Sequence, residues 1–432
     1  MSRIRIKNFG PIKEGFAEND GWLDIKKVTV FIGNQGSGKS TVAKLISTFM
    51  WMEKVLNRGD YKEIDFTKPN RFRKRLGYHK LENYGKILMK IPTGNETKRT
   101  NIIFQPEIEY DGDGYYFMYS GSTGLVAKRK PENDYALPQI IYVPAERNYT
   151  ADVRDVKKLK LTSGAMVEFV SDFTTALEEL NGHLLLPFDN VRVEYNKQYQ
   201  TVYIAGGEGL NSYKIKLSES SSGFQSIVPL FVVCQYFANS VKKSSEDAQQ
   251  KMSSEETQRF KKGVEEIWRN DTLTDEQRRV ALSALSSRFN KTAFINIVEE
   301  PEQNLFPTSQ REMLNSLLGF NNMSPDNKLI MTTHSPYLIN YLTLTIEGGN
   351  LLKKIKEAGK SENFNEMVNR IVPKDSAVNG DDVAIYEMDG KAGTISLLGN
   401  YKGVPSDENK LNNALGEGNE LFAELLEIEQ QI

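Results

Sequence analysis

Three short, nearly unbroken apolar runs, Val28–Ile32, Ala293–Val298 and Leu329–Thr332, stand out along the chain. Each has the length of a strand buried on both faces, as in a sheet covered on two sides. A further core strand is expected at 139–147, and the opening RIRIKNFGPI alternates like a strand with one face in water. Between these lie a helical phrase (FRKRLGYHKLENYGKIL) and two strands joined by a turn at Asp111–Gly114. MVEFVSDFTTALEELNG then reads as a helix, and NVRVEYNKQYQTVYIAGG and SYKIKL as strands. Residues 241–291 are polar and read as a helical hairpin projecting from the core. Its start signals are Ser253 or Ser254 and Thr274, the last followed two residues on by Glu276. DDVAIYEMDGKAGTISLL predicts a two-strand hairpin turning at Asp389–Gly390, and Glu408–Ile432 an acidic amphipathic helix.

The ends of the runs are unusual. Ala293–Val298 stops at two adjacent carboxylates, Glu299 and Glu300, with Glu302 in the following turn; Leu329–Thr332 runs into Thr333, His334 and Ser335. Charge at the end of a buried strand is costly without a partner, and ligands of α/β sheets gather at the C-terminal ends of strands. Val28–Ile32 supplies a partner. It leads into Gly33, Asn34, Gln35, Gly36, Ser37, Gly38, Lys39, Ser40 and Thr41, a G-x-x-x-x-G-K-[ST] pattern between a strand and an apolar-periodic helix. Glycines let backbone N–H groups turn in around phosphates, Lys39 reaches their oxygens, and the Ser40 hydroxyl suits Mg²⁺.

Composition narrows the class. A hydrophobic fraction of 39% in 432 residues suits a globular protein of two or three domains, or one large domain with an insertion. No apolar run approaches the roughly 18 residues of a membrane span, and the start lacks a secretory signal's apolar segment. A cytoplasmic protein without a membrane partner is expected. The single cysteine, Cys234, reads as a buried structural thiol. A net charge of −2 and a pI near 6.1 argue against a protein that coats nucleic acid. The basic clusters Arg71–Arg75 and Lys128–Lys130 read as solvated faces, with phosphate-backbone binding as the alternative. His79, His183 and His334 are too few for a zinc or HNH-type site.

The P-loop alone leaves kinases, GTPases and motor-type ATPases open. A guanine-reading N-K-x-D is missing, since YNKQY around Lys197 has no aspartate. The turn Ser218–Gly223 before an apolar helix presents hydroxyls and free N–H groups, an anion site or an ordinary N-cap.

Taken in order, P-loop, serine-glycine turn, acidic strand end and strand-end histidine resemble the ABC-type ATPases of the RecF, SMC and OLD-like group. VEEPEQNLFP, THSPYLI, IRIKNFGPI and IIYVPAERN look like the subgroup of OLD-type nucleases and of AAA-family ATPase subunits of bacterial anti-phage systems (PtuA-like and AriA-like). The resemblance implies an α/β fold, a P-loop ABC-type head with a mixed sheet. An α+β lobe would be inserted between Walker A and signature, and a helical hairpin after the signature helix. The implied division is 1–50 for the first core part with Walker A and 51–215 for the lobe. The signature helix takes 216–240, the helical insertion 241–291, and the second core part with Walker B and the switch histidine 292–345. Residues 346–432 are left as C-terminal strands and helix.

In that frame two copies pack head to tail with ATP and Mg²⁺ between them. Residues 33–41 bind nucleotide, and Ser221, Ser222, Gly223 and Gln225 act in trans. Ser40 and Glu299 hold Mg²⁺, while Glu300, His334 and Lys39 are catalytic, with Glu300 on the water and His334 on the γ-phosphate. The departures are Glu299 at an aspartate position, serine at the start of the signature, and Phe224 for its second glycine; Gln105 is the candidate Q-loop residue. Asp381, Asp382 and Asp389 could suggest a metal nuclease, but the tail is short for a TOPRIM domain. The expected role is an ATPase that senses a trigger and controls a separately encoded effector, such as a nuclease or toxin in phage defence. The alternatives are a RecF-like ATPase that binds DNA and an ATP-binding scaffold with little turnover.

Overall fold

The computed structural model describes residues 2–84, 87–92, 99–131, 135, 137–152, 163–188, 190–207, 209–246, 254–287, 292–359 and 362–430. At its centre is a seven-stranded mixed sheet in the order Pro138–Val143, Ala293–Glu299, Lys328–Thr333, Val28–Gly33, Val383–Asp389, Thr394–Leu397, Gly15–Phe16. The first five strands run parallel, and Thr394–Leu397 is antiparallel to its neighbour Val383–Asp389.

The unbroken apolar runs follow from two cores sharing this sheet. Val28, Val30 and Ile32 face one core while Phe31 faces the other; Leu329 and Met331 part from Ile330 in the same way. The first core is closed by helices Gly164–Glu178, Ser222–Glu246, Pro307–Asn322 and Pro336–Glu357 and by an antiparallel sheet of His183–Leu185, Arg192–Asn196, Thr201–Gly206 and Tyr213–Lys216. The second is closed by helix Lys39–Arg58 and an antiparallel outer sheet, Leu23–Asp24, Arg3–Lys7, Glu107–Asp111, Tyr115–Ser120 and Gly124–Arg129.

Several expectations are corrected. Residues 51–215 are not one lobe: 107–129 extend a sheet begun by Arg3–Lys7, whereas 164–216 cover the opposite face. The hairpin expected to turn at Asp389–Gly390 forms, with Asp389 paired to Thr394, and its first strand, Val383–Asp389, also lies inside the central sheet beside Val28–Gly33. Among the described residues one helix, Ser222–Lys243, is long and apolar enough to cross a membrane, and most of it is buried in the core.

The helical pair Ser254–Arg269 and Asp275–Ser287 does not project free of the head. Thr274 and Gln277, not Glu276, form the capping box, with reciprocal bonds of 3.2 and 3.0 Å. Phe260 and Leu282 are buried. The Arg279 guanidinium lies 3.4 Å from the Tyr78 ring centroid and 3.9 Å from that of Trp51. A desolvated cation between two aromatic faces is worth roughly 2 kcal/mol, enough to dock a polar hairpin.

Helix Lys39–Arg58 also carries a buried acid. Glu53 Oε1 accepts the N–H groups of Gly114 (2.5 Å) and Tyr115 (3.1 Å), and its Oε2 accepts the Tyr110 hydroxyl (3.1 Å). Burial is the largest influence and pushes the carboxyl up to about 7 from an ordinary 4.5. Because the folded chain holds this proton more tightly, its contribution to stability is complete below the unfolded value and is lost as pH rises through 7. Wild-type stability to urea should therefore decline across that window, by at most about 3 kcal/mol from this group. Glu53→Gln should flatten the decline; pH profiles of the same slope would show that Glu53 is not its source.

Candidate functional site

Strand Val28–Gly33 delivers the P-loop, and helix Lys39–Arg58 begins directly after it from Gly38, whose φ is 101°. The loop is walled by the strand beside it. A Cβ on Gly33 would stand 2.4 Å from the Met388 carbonyl oxygen, and one on Gly390 3.0 Å from Ser37 Cα. Only residues without a side chain allow that approach. Residues 34–36 are exposed, Ser40 is half-buried and Thr41 is buried.

Lys39 folds onto its own loop, donating to the carbonyls of Gly33 (2.7 Å) and Asn34 (3.0 Å). Burial lowers its ammonium to about 8, while Glu300, Glu302 and Glu299 pull it back up. The Ser37 hydroxyl is buried without a partner. A desolvated ammonium and an orphaned hydroxyl at a helix N-terminus fit a phosphate, which would supply acceptors to both.

The acidic strand end is brought to the same place by register. Glu299 pairs with Thr332, and Thr332 with Phe31, so the three strands end together. Glu299 is buried. It accepts the Tyr142 hydroxyl and lies 3.4 Å from Lys44 Nζ. Glu300 takes a left-handed backbone (φ 45°), and its carboxylate Oε1 lies 3.4 Å from His334 Nε2. His334 Nδ1 in turn lies 3.3 Å from Lys39 Nζ. Lys39 can only donate, so the tautomer that satisfies both contacts has Nδ1 bare and the proton on Nε2, toward Glu300. The His334 contact, followed by the charges of Lys39 and Arg147, holds the Glu300 carboxyl below its ordinary value.

Glu302 sets this histidine. Its Oε1 accepts the Thr333 hydroxyl and the His334 N–H, both at 2.7 Å. Burial raises this carboxyl despite those bonds.

Behind the carboxylates stands Arg147, fully buried and tied only to carbonyls. Its Nε donates to Ser226 O (3.1 Å), Nη1 to Glu299 O (2.7 Å) and Pro144 O (3.3 Å), and Nη2 to Glu300 O (2.7 Å). Burial brings the guanidinium down to about 10, so it stays charged at neutral pH. Arg147 thus joins the Pro138–Val143 strand, the acidic strand end and the helix that starts at Ser222.

That helix carries the serine-glycine turn. A Cβ on Gly223 would stand 3.0 Å from Asn304 O, and Asn304 Nδ2 donates to Ser226 Oγ (3.1 Å). The Gln225 side chain donates to the carbonyls of Ser218 (3.2 Å) and Ser220 (3.0 Å), which shapes the turn. Phe224 stacks on Phe188. Ser221 and Ser222 are exposed. Among the described residues the turn's hydrogen bonds stay within itself or run to the loop after Glu300 and to Arg147; none runs to residues 33–41.

No family model matches the chain, and no curated protein matches it. Among solved structures, the SMC head domain from Thermotoga maritima is 12% identical, over 78% of this chain and 90% of that one, at a TM-score of 0.34. An SmcHead bound to the C-winged helix domain of ScpA is 9% identical, over 92% and 96%, at 0.35. An Smc head domain with an extended coiled coil, bound to the C-terminal domain of ScpA derived from Pyrococcus furiosus, is 8% identical, over 98% and 100%, at 0.34. At such scores the likenesses leave the site to be judged on its own residues.

Other candidates fall outside the site. Gln105, proposed from sequence for the Q-loop, lies against the Gly121 turn of the outer sheet. Part of each basic cluster is engaged. Arg75 covers the rings of Trp51, Tyr61 and Phe66, Arg73 donates to Glu82 O (2.9 Å), and Lys130 pairs with Asp111. Asp389 pairs with Lys410. Among the described residues no group of three His, Cys, Asp or Glu could hold a metal ion. Cys234 is buried, 3.2 Å from Asn296 Nδ2, and His79 is a core residue.

Sequence reading passed over Arg147, Tyr142 and Asn304, and it noted Glu302 without giving it a role. Arg147 carried a usable signal, a charge just beyond the apolar run Ile140–Val143. Arg147→Lys should cost about 3 kcal/mol or more, because one ammonium cannot serve four carbonyls in the fork geometry. A chemical-denaturation midpoint equal to wild type would show the guanidinium to be dispensable.

Proposed function

We propose that the chain is an ABC-type ATPase that closes its nucleotide site between two copies. The observation that carries this reading is the joined row of Lys39, His334 and Glu300, spaced 3.3 and 3.4 Å apart at the ends of neighbouring parallel strands. Phosphate oxygens would replace the loop carbonyls that Lys39 now bonds. Mg²⁺ accompanying the nucleotide would neutralise phosphate charge, with Ser40 and Glu299 as the residues to hold it.

Each remaining residue has a distinct part. Glu300, kept ionised by its neighbours, accepts a proton from and orients the attacking water. His334 places its ring between that carboxylate and the γ-phosphate, and Glu302 fixes the backbone from which the ring projects. The exposed hydroxyls of Ser221 and Ser222 and the N–H of Gly223 have no bond to their own P-loop, which suits a role on the nucleotide of a second copy. Catalysis of this kind is positioning and charge stabilisation. The likeness of the motifs to anti-phage ATPase subunits supports a further step in the same reading, control of a separate effector such as a nuclease by the nucleotide state.

Steady-state ATP hydrolysis and equilibrium ATP binding by the pure protein test the core of this. Glu300→Gln should lower turnover at least about a hundredfold while ATP still binds and holds two copies together. Lys39→Ala should lose affinity for ATP itself. A Glu300→Gln protein that turns over like wild type removes Glu300 from the role, and a wild-type chain that binds no ATP removes the reading.

A further inference from the structure

The C-terminal helix Lys410–Glu429 leaves its apolar residues in solvent. Leu411 is its one buried residue, while Leu415, Leu421, Phe422, Leu425, Leu426 and Ile428 are 42–63% exposed. Among them stand Glu417, Glu420, Glu424, Glu427 and Glu429, and beyond Lys410 the helix has neither lysine nor arginine. Its root is fixed. Asn409 caps it, the Lys410 N–H donates to Glu387 Oε1 (2.7 Å), and Lys410 Nζ donates to Asp389 Oδ2 (2.8 Å). So much apolar surface on one anchored helix marks a contact surface.

A second exposed apolar surface lies elsewhere on the chain. Met367 and Ile371, one turn apart on helix Glu362–Ile371, are 56% and 58% exposed. Leu344 and Leu351 on helix Pro336–Glu357 are 42% and 40% exposed. The two helices meet at Gly348, where a Cβ would stand 3.0 Å from the Val372 side chain. Leu344 and Leu351 lie one turn to either side of that point, on the same face. The charges around this surface lean the other way: Lys353, Lys354, Lys356, Arg370 and Lys374 are exposed, against exposed Glu357, Glu366 and Asp375 and half-buried Glu347.

We propose that the acidic apolar helix Lys410–Glu429 of one copy docks on the basic-edged surface of Leu344, Leu351, Met367 and Ile371 of a second copy. Two such helices paired with each other would set their glutamates together with no cation between them, which is unfavourable. The lysine and arginine edge supplies the opposite charge, and its apolar centre covers the exposed leucines. Under two-fold symmetry the exchange is reciprocal, so the contact is made twice. It uses no residue of the P-loop, the strand-end carboxylates or the serine-glycine turn, so it forms without nucleotide and is separate from the ATP-closed interface.

Sedimentation velocity of the full chain without nucleotide tests this. The wild type should be dimeric at micromolar concentration. Leu425→Glu and Met367→Glu should each weaken the dimer about thirtyfold or more. Mixing the two variants should restore a dimer, because the intact helix of Met367→Glu still fits the intact surface of Leu425→Glu. Both positions are exposed, so far-ultraviolet circular dichroism spectra like the wild type's should accompany these results and show that each variant is folded. A monomeric wild-type chain overturns the proposal, as does a mixture that fails to recover. Dissociation by Leu425→Glu but not by Met367→Glu would point to helix-to-helix pairing and also overturn it. With ATP absent, none of these outcomes depends on whether the chain is an ATPase.

Discussion

The site depends on one buried cation that touches no substrate. Arg147 holds the carbonyls of Pro144, Ser226, Glu299 and Glu300, and so fixes three segments at one point. Glu300 needs such a fastening, since its left-handed backbone would otherwise relax. A carbonyl clamp also leaves the carboxylates free. Had Arg147 paired with the side chain of Glu299 or Glu300, it would have neutralised a carboxylate that the proposed chemistry uses. Bonding to main-chain oxygens, it lends its charge to the neighbourhood, one of the influences that lower Glu300, without occupying the carboxylate.

Around that point the charges balance by position. Glu299 is covered by Tyr142 and Lys44, Glu300 by His334, and Glu302 by Thr333 and the His334 backbone. Lys39 lies on its own loop carbonyls. On the proposed function, a metal ion would take the place of Lys44 and phosphate that of the loop carbonyls, so binding would exchange partners that Lys39 and Glu299 already have instead of creating them. Glu299 is long enough to reach Tyr142 on the neighbouring strand while its backbone stays in the clamp.

What was legible in the sequence was what repeats or terminates. The apolar runs, the glycine spacing and the charges at strand ends located Lys39, Glu299, Glu300 and His334 before any fold was known. Arg147 was harder, because its partners are backbone carbonyls, which leave no side-chain pattern. The helical pair misled in a related way. Arg279 reads as a surface cation, yet two aromatic faces from distant segments bury it. The hairpin begun by Val383–Asp389 was legible, but not the sheet it joins. Its place beside the P-loop strand is set by pairing across more than 350 residues, which local pattern does not encode.

Helix Lys39–Arg58 ties these levels together. Its first residue is the lysine of the P-loop, Glu53 is locked into the turn of the outer sheet, and Trp51 faces the guanidinium that docks the helical pair. A close-packed helix moves as a unit, because its side chains have no slack in which to absorb a shift. Lys39, Trp51 and Glu53 thus share one packed helix, and Trp51 in turn lies against Arg279. The strand on the other side adds a second path, since Gly390 backs Ser37 while Asp389 anchors Lys410 at the root of the C-terminal helix. Both routes begin at the loop that would hold the phosphates. One chain of contacts runs to the docked helical pair and the other to the root of the exposed acidic helix.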